Sequence, residues 1–127
     1  MKYSKDVGGA WLDTKNIAQG AKVKIVAETV RRDSSFKDKE GNPKTENVTK
    51  VQVEGEKDSV NMRLNWTTIG GLIEAYGEES QDWMGKVLTV HKVRALVGDT
   101  MRDIVYLLPE GFELGENEES KLVIRPI

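Results

Sequence analysis

The chain has 127 residues, with 19 Lys plus Arg against 21 Asp plus Glu, a formal net charge of −2, one histidine and no cysteine. That length supports one domain with one core, and the composition excludes a disulfide scaffold, thiol catalysis, thiolate-bound metals and any multi-histidine site. No apolar run approaches the roughly 18 residues of a membrane-spanning helix, and MKYSKDVGGAW lacks a signal peptide's apolar stretch, so a cytoplasmic protein without a membrane partner is expected.

Ala10 to Gly20 (AWLDTKNIAQG) brings Trp11, Leu12 and Ile17 to a Gly-ended turn and reads as a lead-in that packs on the main body. In Lys22 to Arg31, Val23, Ile25 and Ala27 alternate with Lys24 and Glu28, the rhythm of a half-buried first strand. The polar stretch RDSSFKDKEGNPKTEN, with its Gly41-Asn42-Pro43 turn signal, reads as a long hairpin loop with little to bury. Val48 to Glu54 and Ser59 to Leu64 are a second and third strand in meander order, joined at Gly55 to Asp58.

The clearest helix lies in NWTTIGGLIEAYG. Ile69, Leu72, Ile73 and Tyr76 form one apolar stripe, Asn65 or Thr67 can cap the start, and Gly77 suits the C-terminal cap. Gly70 and Gly71 weaken it by about 1 kcal/mol each relative to alanine, so a close approach by a neighbouring strand is expected to compensate. Trp83 is expected to plug one end of the core. Lys86 to Val97 and Thr100 to Leu108 are strands four and five, with a bulge or coil expected where the alternation slips at His91 and Lys92.

Glu110 to Ser120 (EGFELGENEES) carries five acids and no base, leaving 16 acids and 17 bases before it. The net charge is thus a poor guide to partners. The segment reads as an acidic linker to the short apolar terminus KLVIRPI, an edge strand or tail. Residues 1–109 are therefore expected to form the folded domain, with 110–127 as its appendage.

Three meandering strands, a helix, then a two-strand hairpin is the order of a mainly β, five-stranded OB-fold-like barrel with one helix between strands three and four. An SH3-like barrel has no natural place for that helix. The segment LNWTTIGGLIEAYGEESQDWMGKVLTV also resembles one that recurs in small bacteriophage and archaeal OB-fold proteins similar to single-stranded-DNA-binding proteins. The matching positions are Asn65, Thr67, Gly77, Asp82, Trp83, Gly85 and Lys86, preceded by Leu12, Asn16, Ile17 and Gly20, and the likeness runs from Trp11 to Pro109. These residues look structural: caps, a tight glycine turn and a core tryptophan. The resemblance implies the fold, a role in DNA replication or recombination, and an intracellular setting that includes an infected host cell.

Single-strand binding needs cations that follow phosphates and planes on which bases stack. The candidate cations are Arg31, Arg32, Lys37, Lys39, Lys44, Lys50, Arg63 and Arg102, with Lys92 and Arg94 beside them. Phe36 stands alone in the polar loop as a candidate stacking platform, against the alternative of folding back on the barrel rim. Tyr106 is in phase with Arg102, although Ile104 and Leu108 share that phase and suggest core. Asn61, Arg63 and Asn65 alternate against Val60, Met62 and Leu64 and so point away from the core. Trp11 and Trp66 are expected to pack together, with Trp66 partly exposed at the first turn of the helix.

Asp99 with Asp103, and Glu78 with Glu79 and Asp82, match no EF-hand; no Walker pattern or nucleophile elbow occurs; and His91 has no evident acid-base partner. The expected protein is non-enzymatic, needs no cofactor or metal, and binds single-stranded DNA, with RNA left open, showing little sequence preference. The alternative is an OB-like assembly module of phage or viral type whose C-terminal segment pairs edge-to-edge in a homodimer.

Overall fold

A computed structural model describes residues 10–127 except 38, and at 34–36 and 43 the backbone alone. The first strand pattern breaks in two. Val23 and Ile25 turn inward in β1 (Lys22–Ile25), the chain bends, and β2 (Val30–Lys37) continues in a new direction. At the bend Val26 N–H donates to the Lys50 carbonyl at 2.9 Å, and the Thr49 hydroxyl donates to the Ala27 carbonyl at 2.9 Å. The backbone at the corner is thereby paired although it has left the ladder.

The long polar stretch is not a loop. β2 pairs antiparallel with the first half of β3 (Pro43–Val53), Val30 opposite Val48 and Arg32 opposite Glu46, with a register shift between Asp33 and Lys37. Low hydrophobicity here reports exposure of a ribbon rather than absence of strands. The second half of β3 pairs with β1 on one side, and its middle pairs with β4 (Val60–Leu64) on the other.

After α1 (Trp66–Tyr76) come β5 (Val87–Val97), paired with β1, and β6 (Thr100–Leu108), paired with β5. The sheet thus runs β2-β3-β1-β5-β6 with β4 on β3, and β4 and β6 share no ladder. Among the described residues the protein is mainly β with one α-helix. No helix among the described residues is long and apolar enough to cross a membrane.

Asn65 caps α1, its Oδ1 accepting from Thr68 N–H at 2.9 Å. Gly77 ends it with φ 99° and an N–H bond to the Ile73 carbonyl. Ile69 and Leu72 join Ile25, Val51, Leu88, Val90 and Leu107 in the core, where each fully buried aliphatic contributes about 1.5–3 kcal/mol. Trp83, in a short 3-10 turn, is buried there too, with its Nε1–H on the Gly77 carbonyl at 2.8 Å. Of the expected helix stripe, Ile73 stays exposed.

No bulge interrupts β5 at His91 and Lys92. The ladder is regular from Thr89 opposite Leu108 to Val97 opposite Thr100. Lys92 simply continues the inward phase of Leu88 and Val90 at the core's end, where its Nζ donates to the Lys15 and Ile17 carbonyls at 2.9 and 3.0 Å and its N–H to Gln19 Oε1.

The acidic segment read as a linker contains β7 (Phe112–Glu116), paired with β8 (Leu122–Pro126) in a separate hairpin. The alternation of Phe112 and Leu114 was masked by the density of glutamates. Ile124 of β8 is buried against α1 of the same chain. A Cβ on Gly71 would lie 2.6 Å from Ile124 Cγ2, so this glycine admits the approaching strand; at Gly70 nothing lies within 4 Å.

Candidate nucleic-acid interface

Residues opposite one another in an antiparallel ladder share a face, and alternate residues along a strand share it as well. Arg32 opposite Glu46, Val48 opposite Arg63, Lys50 opposite Asn61 and Lys24 opposite Gln52 therefore share one face of the sheet, on which Val48 and Asn61 are buried. Lys44 belongs to it by phase with Glu46. Five cations (Lys24, Arg32, Lys44, Lys50, Arg63) share this face, from Lys44 to Gln52, with the single carboxylate of Glu46. A near-neutral chain thus presents a locally basic surface.

The lead-in lies along the free side of β4. Trp11 bridges to Asn61, Leu12 N–H donates to the Asn61 carbonyl and Asn61 N–H to the Ala10 carbonyl, both at 2.9 Å. This lays the Trp11 ring beneath two guanidinium groups, with Arg63 Cζ 4.1 Å and Arg32 Cζ 5.6 Å from its centroid. Glu46 holds both at their edges, accepting from Arg63 Nε through Oε2 and from Arg32 Nε and Nη2 through Oε1, the latter at 3.0 and 2.8 Å. Burial pushes the Glu46 carboxyl up, but the hydrogen bonds and charges of Arg63 and Arg32 outweigh it and hold the group below the usual carboxylate range. The Arg63 side chain remains 52% exposed. It offers a guanidinium plane fixed in orientation and open on its outer side.

Beside Arg63, where β4 and β6 share no ladder, is a cleft of about 270 Å³ lined by Trp11, Thr14, Asn65 and Val105. Asn65 Nδ2 donates across it to the Val105 carbonyl at 3.1 Å. Thr14 also lines a wider hollow with Lys15, Arg94 and Arg102, so the two adjoin. Arg94 there pairs with Asp103 at 3.4 Å, and Arg102 is exposed.

The other sequence candidates divide. Arg31 has the opposite phase to Arg32: it faces away from Glu46, bonds Thr45 Oγ1 at 3.1 Å and lies over Trp66, 5.3 Å from the ring centroid. Lys37 and Lys39 are exposed at the ribbon tip. The Phe36 side chain lies outside the described residues. Tyr106 is 5% exposed and has no free ring face for a base. Lys92 is bonded to lead-in carbonyls. Trp11 and Trp66 do not pack together but sit on separate arginines.

Sequence reasoning missed Glu46, Lys24 and the partnership of Trp11 with Arg63. Only Lys24 had a local signal, its alternation with Val23 and Ile25. No protein-family model, no curated protein and no solved structure matches this chain.

Proposed function

We propose that the protein is a non-enzymatic OB-type barrel that binds single-stranded DNA with little sequence preference. Taken as two halves of one bent strand, β1 and β2 reduce the sheet to the five strands of that architecture, with β1 between β3 and β5 and α1 between β4 and β5. The Asn65 bond to Val105 spans the side on which such a barrel closes.

One observation carries the functional reading: the Arg63 plane, backed by Trp11 and aligned by Glu46, on a face shared with Arg32, Lys44, Lys50 and Lys24. A base stacks on the outer side of that plane while the surrounding cations track phosphates, which requires no base-specific contact. The path continues by way of Thr14 toward Arg94 and Arg102. Such binding is weakened by salt in proportion to the phosphates neutralised. The rival reading, an assembly module acting through the C-terminal segment, has less support because Ile124 is already packed on α1 of its own chain.

The test is a fluorescence titration with labelled oligothymidine at low and moderate salt. Salt-sensitive binding that weakens about tenfold in Arg63→Ala supports the proposal; no binding at low salt overturns it.

A further inference from the structure

Gly71 is explained by Ile124, but Gly70 is not. It sits inside α1, where glycine destabilises the helix, and no atom of the described residues lies within 4 Å of the position a Cβ would take. Gly70 occupies the middle of an outward stripe, four residues after Trp66 and three before Ile73, spacings that place all three on one side of the helix. Trp66 is 61% exposed and Ile73 39% exposed. The buried face, with Thr68, Ile69 and Leu72, is turned the other way. Beside the stripe runs a groove of about 400 Å³ between α1 and β8, bounded by Trp66, Gly70, Glu74 and the half-exposed Leu122. No β7 residue lines it, so it opens on the edge of β8 that has no strand partner among the described residues.

The geometry points to a second copy of this chain as the occupant, docked through α1 about a two-fold axis at Gly70. With the two helices antiparallel across that axis, the residue four before Gly70 meets the residue four after it. Trp66 then faces Glu74 of the second copy. Arg31, which lies over Trp66, is brought to that same carboxylate, and the pairing occurs twice. The interface is isologous, as two-fold contacts are. Gly70 lets the helix backbones approach, the stripe and Leu122 lose water, and the flanking charges are complementary. Arg31 and Trp66 serve this contact on the face opposite Arg32 and Glu46, so dimerisation does not depend on nucleic-acid binding.

Sedimentation equilibrium of the full chain without nucleic acid, from micromolar to millimolar protein, tests this. The wild type is expected to self-associate to a dimer. Gly70→Gln, which enters open space and favours the helix, is expected to melt no lower than wild type when both are diluted to monomer. It should dimerise about tenfold more weakly, as loss of a central contact does. Arg31→Glu and Glu74→Arg should each weaken the dimer, and the double variant should recover it. A wild type that stays monomeric throughout overturns the proposal, and so does a dimer indifferent to Gly70→Gln or not recovered by the charge exchange.

Discussion

Arg63 stands 4.1 Å from the centroid of the Trp11 ring while donating its Nε–H to Glu46. A cation over an exposed ring contributes about 0.5–1 kcal/mol by itself, but the carboxylate fixes the tilt of the plane as well. Arg63→Ala removes both the stacking plane and a cation. Binding of oligothymidine should weaken by about tenfold, within the 1–3 kcal/mol typical of a base-stacking contact. Titrations at several salt concentrations provide the check.

Arg102 makes a contrasting case. It is exposed, it lies at the far end of the Thr14 path, and among the described residues no aromatic ring is stacked with it. Arg102→Ala should lower affinity evenly for all sequences and reduce the slope of log affinity against log salt by about one phosphate contact, roughly 0.7. A loss confined to particular bases would reject the phosphate role.

Glu46 sets a pH dependence. Because its folded-state pKa is depressed, its contribution is present above the ordinary glutamate value and disappears as pH falls through the lower folded value. Half-exposed Arg63 is screened by water, so the contribution is about 1 kcal/mol. Thermal melts should show the wild type losing more stability than Glu46→Gln on acidification from about pH 7 to about pH 3, with Asp13, whose pKa is lowered chiefly by its Asn16 hydrogen bond, titrating alike in both proteins.

Two adjacent glycines should respond with opposite signs. Gly71→Ala forces its methyl to 2.6 Å from Ile124 and should cost about 1–3 kcal/mol. Gly70→Ala meets nothing within 4 Å and should stabilise the monomer by up to about 1 kcal/mol. Urea denaturation at a protein concentration low enough to keep the chain monomeric measures both.

Lys92→Met should separate a structural lysine from a binding one. The variant keeps the apolar stem but loses the Nζ bonds to the Lys15 and Ile17 carbonyls. Stability should fall by about 1–2 kcal/mol, while oligothymidine affinity changes by less than about twofold, because the ammonium faces backbone oxygens rather than a phosphate path.

These residues also indicate what could be read from the chain. The caps at Asn65 and Gly77, the buried Trp83 and the outward phase of Arg63 are local matters, settled by spacing within a few residues. The ribbon of β2 and β3 is hidden in the sequence because polarity reports burial, and beyond Asn47 and Val48, which are buried at its base, the strand pair is polar enough to look like a loop. The regular ladder at Lys92 looks like a bulge or coil in the sequence because a lysine in an inward phase can bond carbonyls at the end of the core. Trp11 and Arg63 are 52 residues apart in sequence, and their meeting depends on the lead-in running beside β4. Nothing local encodes that.

Asn65 uses its two amide atoms in opposite directions, one capping α1 and the other reaching Val105, and Thr68 Oγ1 accepts from Leu107 N–H at 3.3 Å. The side of the sheet where strands do not pair is thus fastened to the first turn of the helix by side chains. A ladder can be parted only by breaking many bonds together, whereas this fastening rests on the side-chain bonds of Asn65 and Thr68. The fastening between β4 and β6 is in this sense a latch: releasing it breaks no strand pairing.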